Sequence, residues 1–331
     1  MYLKTDSFVV ESNIHFPTDL SLLFDSTRKC LDTILLLKKE VAVSYWGKLD
    51  VWSGKLKTSY RDVSEIHRKK GKNYKSRLEA ATKVYLTVVK EISKRVVLTL
   101  MEMSSEFNVI ALILVTSLKK YHDYLLKLSD QVDRRILKGE KIPHGEKIFS
   151  IFEDHVEWLQ KGKAGKKVEL GHNVLITTDQ YHFIVDHEVM VKVTDKEVTI
   201  ALCDRLVEKF KTGYNKKSIS FDRGFYTLLA KKYISKEFEL VVMPKPGKKT
   251  ITQQEEESKD AFKFRQKKHS TVEANINELE HSGSDKVRDK GLTGFKKYVS
   301  WSVLSYNLKR LGKIVIAKRK KVIQEALQRR A

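Results

Sequence analysis

Cysteine and proline are scarce in this chain of 331 residues, which contains two cysteines, Cys30 and Cys203, and four prolines. Two distant cysteines supply neither a disulfide framework nor a Cys-x-x-Cys metal pair, so we expect both to be small apolar core residues in a reducing compartment. The few prolines, and the lack of a linker rich in serine and glycine, favour one continuous architecture with insertions over domains joined by flexible linkers.

Long apolar runs are missing as well. The most apolar stretch, residues 109–115, lies between Glu106 and Lys119 and is far shorter than the roughly 20 residues that cross a membrane. The first six residues also lack the apolar core of a secretion signal. We therefore expect a cytoplasmic protein with no membrane partner.

Positive charge is abundant. Lysine and arginine number 64 against 42 aspartates and glutamates, which gives a formal net charge of +22. A field of this sign attracts polyanions, so nucleic acid is the first partner to consider. Hydrophobic residues make up 41% of the chain, enough for a substantial core.

Helical and strand-like patterns alternate along the chain in a definite order. Residues 20–137 form a helical block with apolar residues at helical spacing, and Asp195 is the expected N-cap of an amphipathic helix that ends near Gly213. Residues 168–178 and 181–193 predict a hairpin around Asp179 and Gln180. The remaining patterns predict strands at residues 3–10, 219–222 and 238–243, and helices at residues 225–233, 253–281 and 291–330.

This order predicts the α/β class, with a ribonuclease-H-like mixed sheet and a long helical insertion after its first strand. The expected divisions are a first core strand in residues 1–19, the insertion in 20–143, the rest of the catalytic core in 144–281 and a helical tail in 282–331.

Three carboxylates fall where such a fold forms its site. Asp6 lies in the first strand, Asp222 at the carboxyl end of the fourth predicted strand, and Glu273 on the helix after the fifth. Ligand sites of open α/β sheets form at the carboxyl ends of strands. Two-metal phosphodiester cleavage needs hard oxygen ligands, with one carboxylate bridging both ions. The three acids are therefore candidate catalytic residues and metal ligands.

Four segments resemble bacterial insertion-sequence DDE transposases. The segment Asp6-Ser-Phe-Val-Val-Glu-Ser-Asn-Ile-His-Phe-Pro-Thr-Asp19 resembles their first acidic motif, Asp-x-x-Val-x-Glu-x-Asn-Ile-x-x-Pro-Thr-Asp. Residues 147–164 and Val168-Glu-Leu-Gly171 are similar to the approach to their second strand. Phe221-Asp-Arg-Gly-Phe-Tyr226 resembles their second-aspartate motif, and His269-Ser-Thr-Val-Glu-Ala-Asn-Ile-Asn277 their glutamate helix. The combination is most similar to the ISNCY group and covers nearly the whole chain.

The resemblance implies Mg²⁺-dependent DNA strand cleavage and strand transfer in insertion-sequence transposition, with Mn²⁺ as a substitute metal. Asp6, Asp222 and Glu273 would bind the metal ions. The implied partners are double-stranded DNA, as element ends and as target, and further copies of the chain in a nucleoid-associated complex. The chain begins five residues before Asp6, so we expect the family's N-terminal DNA-binding domain to be lacking. The chain is then a truncated or inactive copy, or the downstream half of a product whose first half lies in another reading frame.

Three basic patches surround the predicted site, and each is either a solubilising surface or a set of phosphate contacts. Their proximity to the carboxylates favours DNA binding. Their members are Lys161, Lys163, Lys166 and Lys167; Lys245, Lys248 and Lys249; and Arg265, Lys267 and Lys268. The alternative function is a non-catalytic, basic nucleic-acid-binding protein with a helical arm.

Overall fold

The computed structural model describes residues 1–106, 108–160, 168–211 and 215–328. The chain divides into two compact units. Residues 15–154 form a helical unit, and residues 1–14 join residues from 155 onward in a sheet unit. The chain therefore leaves the sheet unit after its first strand and returns to it about 140 residues later.

Four long helices build the helical unit. Thr18 caps the first one, since its hydroxyl accepts the Ser21 amide while Ser21 accepts the Thr18 amide. Trp46 lies in the core, where its indole N–H donates to the Thr99 hydroxyl over 2.8 Å. The helices are α1 (Asp19–Glu40), α2 (Leu49–Lys69), α3 (Tyr74–Glu102) and α4 (Val109–Val132).

Seven strands form one mixed sheet within the described part of the second unit. They are β1 (Tyr2–Ser12), β2 (Glu157–Leu159), β3 (Glu169–Thr178), β4 (Ile184–Val189), β5 (Ser218–Phe221), β6 (Leu240–Val242) and β7 (Lys286–Val287). Their order is β2-β3-β1-β5-β6, with β4 also on β3 and β7 also on β1. The central strand β1 runs antiparallel to β3 and parallel to β5.

Helices cover both faces of the sheet. They are α5 (Asp195–Lys209), α6 (Leu228–Ile234), α7 (Ile251–Ser258), α8 (Asp260–His269), α9 (Thr271–Leu279) and α10 (Gly291–Gln328). Leu3 of β1 packs into a core with α5 and α6, whereas Phe8 and Val10 pack against α9 and α10. Alternate residues of a strand face opposite sides, so even-numbered residues of β1, Asp6 among them, lie on the α9 side.

The α/β class, the first strand, the helical block and the hairpin are confirmed by these elements. The predicted ends of two helices differ from those in the structure. Thr194, not Asp195, caps α5, and Glu197 completes the capping box; this helix ends at Lys209. The helix predicted from Phe225 begins at Leu228, because Phe225 is buried in a preceding 3₁₀ turn. No helix among the described residues is long and apolar enough to span a membrane.

Candidate active site

Asp6 and Asp222 come together across the parallel pair β1 and β5. Thr5 pairs with Phe221 as the last pair of this ladder, so Asp6 is the next residue of β1 and Asp222 is the first residue after β5. The backbone of Asp222 is still extended, with φ −74° and ψ 166°. Neighbouring strands lie about 4.8 Å apart, and in-register residues of a parallel pair point to the same face. The two carboxylates therefore share one face at the end of β5.

The two aspartates differ in exposure. Asp6 is half-buried and accepts the Ser7 amide over 2.7 Å, whereas Asp222 is exposed where the chain turns away from β5. One oxygen of the Asp6 carboxylate therefore already accepts a hydrogen bond from the backbone. Carboxylate oxygens of this kind are the donors that Mg²⁺ prefers.

Glu273 lies in the first turn of α9, on the same side of the sheet. Its neighbour Val272 is fully buried in the core that also contains Phe8. The Lys4 ammonium donates to the Thr271 hydroxyl over 2.9 Å, which joins the start of α9 to β1. The Glu273 side chain itself is exposed.

The structure does not gather the three acids into one preformed cluster. Among the described residues, no group of three or more His, Cys, Asp or Glu side chains is close enough to hold a metal ion. The donor set nevertheless fits Mg²⁺, which prefers carboxylate oxygens and is usually held by only one or two of them. Asp6 and Asp222 are the two acids that directly follow paired residues of neighbouring strands.

His269 is a site residue to which the sequence assigned no role. Its Nδ1 lies 3.1 Å from the Ser220 hydroxyl, two residues before Asp222. Burial lowers the pKa of His269 to about 4; the Asp222 carboxylate opposes this shift and the Lys4 ammonium adds to it. The ring is therefore neutral at pH 7. Its Nε2 is buried and has no hydrogen-bond partner among the described residues. The sequence signal that could have identified His269 is its position just before α9, the helix that contains Glu273.

The predicted basic residues have different surroundings. Lys249 forms a 2.6 Å salt bridge with Glu257, and the Lys245 ammonium donates to Gln253 over 2.9 Å. Lys248 and Lys267 are exposed. The first of the three patches, Lys161, Lys163, Lys166 and Lys167, falls outside the described residues.

Arg265 and Lys268 lie nearer to β1 and contact aromatic rings. The Arg265 guanidinium lies 3.5 Å from the centre of the Tyr2 ring, a cation–π geometry. The Lys268 ammonium lies 5.8 Å from the centre of the Phe264 ring. These two side chains, on α8, are the predicted DNA-binding residues that the fold places beside the strand of Asp6.

A second polar cluster lies where β2 pairs with β3. His172 is fully buried, with Nε2 2.8 Å from His155 Nδ1 and Nδ1 2.9 Å from the Glu157 carboxylate. Glu157 also accepts the Lys192 amide over 2.8 Å. These bonds tie β2 to β3 and to the segment after β4, so we assign the cluster a structural role.

Comparison with protein-family models, with characterised proteins and with solved structures gives no match.

Proposed function

We propose that this protein is a DDE-type DNA recombinase that cleaves and joins DNA strands as an insertion-sequence transposase. The observation that carries the proposal is the placement of Asp6 and Asp222 at the end of the β1–β5 ladder. These two aspartates, more than 200 residues apart in sequence, directly follow its last paired residues, Thr5 and Phe221. Chance placement of surface acids does not favour such a pairing.

The topology also supports the proposal. The central strand has an antiparallel neighbour on one side and two successive parallel strands on the other, as expected for a ribonuclease-H-like sheet. The helical unit follows directly after the first strand, where the element order of the sequence expects an insertion. The Asp6, Asp222 and Glu273 segments are those that resemble the transposase motifs.

In this proposal Asp6 and Asp222 hold the metal ions, and Glu273 completes the ligand set when DNA is bound. Mg²⁺, or Mn²⁺ in its place, would activate the attacking oxygen and stabilise the leaving one. The neutral His269 beside Asp222 adds no positive charge that would compete with a cation. Lys267, Lys268 and Arg265 contact the phosphates of the DNA, because lysine and arginine supply most phosphate contacts in such complexes.

The alternative is a non-catalytic nucleic-acid-binding protein. It is favoured by the exposed position of Glu273 and by the absence of a three-residue metal cluster among the described residues. The net charge of +22 suits both functions, since phosphate neutralisation alone gives tight, salt-dependent binding. A measurement of DNA cleavage is therefore needed to distinguish the two functions.

The test is nicking of supercoiled plasmid DNA in Mg²⁺ or Mn²⁺, measured together with DNA binding in a gel-shift assay. We expect the wild-type protein to nick the plasmid, and the Asp222→Asn variant to bind it equally well without nicking it. Loss of the carboxylate removes a metal ligand but leaves the phosphate contacts. If both proteins bind the plasmid alike and neither nicks it more than a protein-free control does, the protein is a non-catalytic nucleic-acid-binding protein and not a recombinase.

A further inference from the structure

A cavity of about 260 Å³ lies in the sheet unit, between the first residues of β1 and β5 and the helix α8. The residues that define its chemistry are Tyr2, Lys4, Ser220, Phe264, Arg265 and Lys268. Three of them are cations, and among the described residues no aspartate or glutamate lines the cavity. The cavity has room for a phosphate group with part of a nucleoside.

Two of the three cations contact neighbours that are not acidic. Lys4 donates to the Thr271 hydroxyl, and Arg265 stacks on the Tyr2 ring. Within the described part of the chain, none of the salt bridges involves Lys4, Arg265 or Lys268. Converging like charges repel one another, and a bound anion offsets that repulsion. The arrangement thus suits an anion.

Acidic partners are available elsewhere on the same unit. Lys249 pairs with Glu257 at 2.6 Å, and Lys313 pairs with Glu278 at 2.7 Å. The sheet unit therefore neutralises many of its lysines with neighbouring carboxylates. In the cavity, by contrast, Lys4, Arg265 and Lys268 form no such salt bridge among the described residues.

The position of the cavity relates it to the aspartates. Lys4 and Ser220 are paired residues of β1 and β5, and they lie two residues before Asp6 and Asp222 in the sequence. Two residues of a strand span about 6.6 Å. A group in the cavity therefore lies next to a group held at the aspartates.

We propose that this cavity is a phosphate subsite, which binds one phosphate of a DNA strand while a neighbouring phosphodiester lies at Asp6 and Asp222. The assignment rests on the proposed function. Lys4, Arg265 and Lys268 bind the phosphate, and their charge-assisted hydrogen bonds are the stronger kind. Phe264, 53% exposed at the cavity margin, offers a face on which an adjacent base stacks.

The experiment measures binding of a fluorescein-labelled, single-stranded oligothymidylate by anisotropy, in EDTA and at physiological salt. The variants are Arg265→Ala and Lys268→Ala, and the matched control is Lys263→Ala, an exposed lysine of the same helix that does not line the cavity. We expect each cavity variant to weaken binding about tenfold. The control should weaken it less than about twofold, because a single non-specific contact between a surface lysine and a phosphate is weak. Melting temperatures confirm that the variants are folded.

Equal weakening by all three variants, or none by the cavity variants, would overturn the subsite. A competition experiment then tests whether the cavity binds a phosphate of a DNA strand or a free phosphate. We expect unlabelled oligothymidylate to displace the probe at far lower concentration than thymidine 5′-monophosphate or inorganic phosphate. Displacement by the mononucleotide at an equal concentration would assign the cavity to a free nucleotide and overturn the strand assignment.

The outcome is independent of catalysis because EDTA removes the metal ions. If plasmid nicking fails while the cavity variants still bind the oligonucleotide more weakly than the control, the recombinase is refuted and the phosphate subsite stands. If nicking depends on Asp222 but the cavity variants bind like the control, the subsite alone is refuted.

Discussion

The Lys4 ammonium and the Thr271 hydroxyl are joined by a hydrogen bond of 2.9 Å, which links the strand that carries Asp6 to the helix that carries Glu273. Burial lowers the pKa of Lys4, the nearby cations Lys268 and Arg265 lower it further, and Asp179 opposes the shift. This one bond thus connects the acidic pair, the glutamate helix and the cationic cavity. It lies two residues from Asp6 on β1.

Mg²⁺ stabilises the sheet unit if Asp6 and Asp222 bind it. At about ten times the dissociation constant, a bound ligand adds about 1.4 kcal/mol to the free energy of unfolding, which raises the melting temperature of a unit of this size by roughly 3–6 °C. We expect this shift in the wild-type protein, measured by differential scanning fluorimetry. The double variant Asp6→Ala/Asp222→Ala should lose it.

The matched control for this shift is Glu255→Ala/Asp260→Ala, which removes two exposed acids from the same unit. It should keep the full Mg²⁺ effect. If the control and the site variant lose the effect equally, Mg²⁺ acts through general charge screening and not at Asp6 and Asp222.

Gly171 of β3 is required by its close approach to β1. A Cβ atom at this position would lie 2.0 Å from the Val10 carbonyl oxygen, a distance that forces the two backbones apart. We expect Gly171→Ala to destabilise the sheet unit by more than about 2 kcal/mol, as backbone strain and lost strand pairing combine. Urea unfolding followed by circular dichroism measures this change.

Gly312 of α10 is the comparison for Gly171, because a Cβ there would meet nothing within 4 Å. Gly312→Ala should leave stability unchanged or raise it by up to about 1 kcal/mol, since alanine is the better helix former. Similar destabilisation by both substitutions would contradict the tight approach of β3 to β1.

The His172 cluster predicts a pH dependence of stability. Burial lowers the pKa of His172, although the Glu157 carboxylate opposes the shift, so the unfolded chain binds more protons here than the folded protein does. The free energy of unfolding therefore falls as the pH drops through about 6.5, the usual histidine value, towards the lower pKa of the folded state. Urea unfolding at pH 7.5, 6.5 and 5.5 measures the slope.

We expect His172→Gln to reduce this slope, whatever it does to stability at pH 7.5. His67→Gln, which changes an exposed histidine of the helical unit, should keep the wild-type slope. An unchanged slope in His172→Gln would show that other groups account for the pH dependence.

Local patterns predicted the longer elements of the fold. The 22 residues of α1 and the 10 residues of β3 each contain enough residues to show a period. The strands β2 and β7, of three and two residues, are too short to show one and were not predicted. Phe225 looked like the start of a helix because its apolar side chain fits the helical spacing, yet a 3₁₀ turn buries it and Thr227 caps α6.

The candidate site was predictable only in part. Asp6 and Asp222 could be assigned to strand positions from the residues around them, but their register depends on the pairing of Thr5 with Phe221, which no local pattern contains. The cavity also depends on long-range contacts, since Arg265 of α8 contacts Tyr2 of β1 and the whole helical unit lies between them in the sequence. His172, though polar, is fully buried because His155 and Glu157 satisfy both ring nitrogens.

Plasmid nicking by single variants of the three acids is the most direct measurement of the proposed site. Asp6→Asn, Asp222→Asn and Glu273→Gln should each lower the Mg²⁺-dependent nicking rate about 100-fold or more, because in the proposed site each is a metal ligand that positions the reacting groups. Glu255→Gln, an exposed acid outside the site, should nick at the wild-type rate. Nicking by all three site variants at the wild-type rate would contradict a DDE site in this protein.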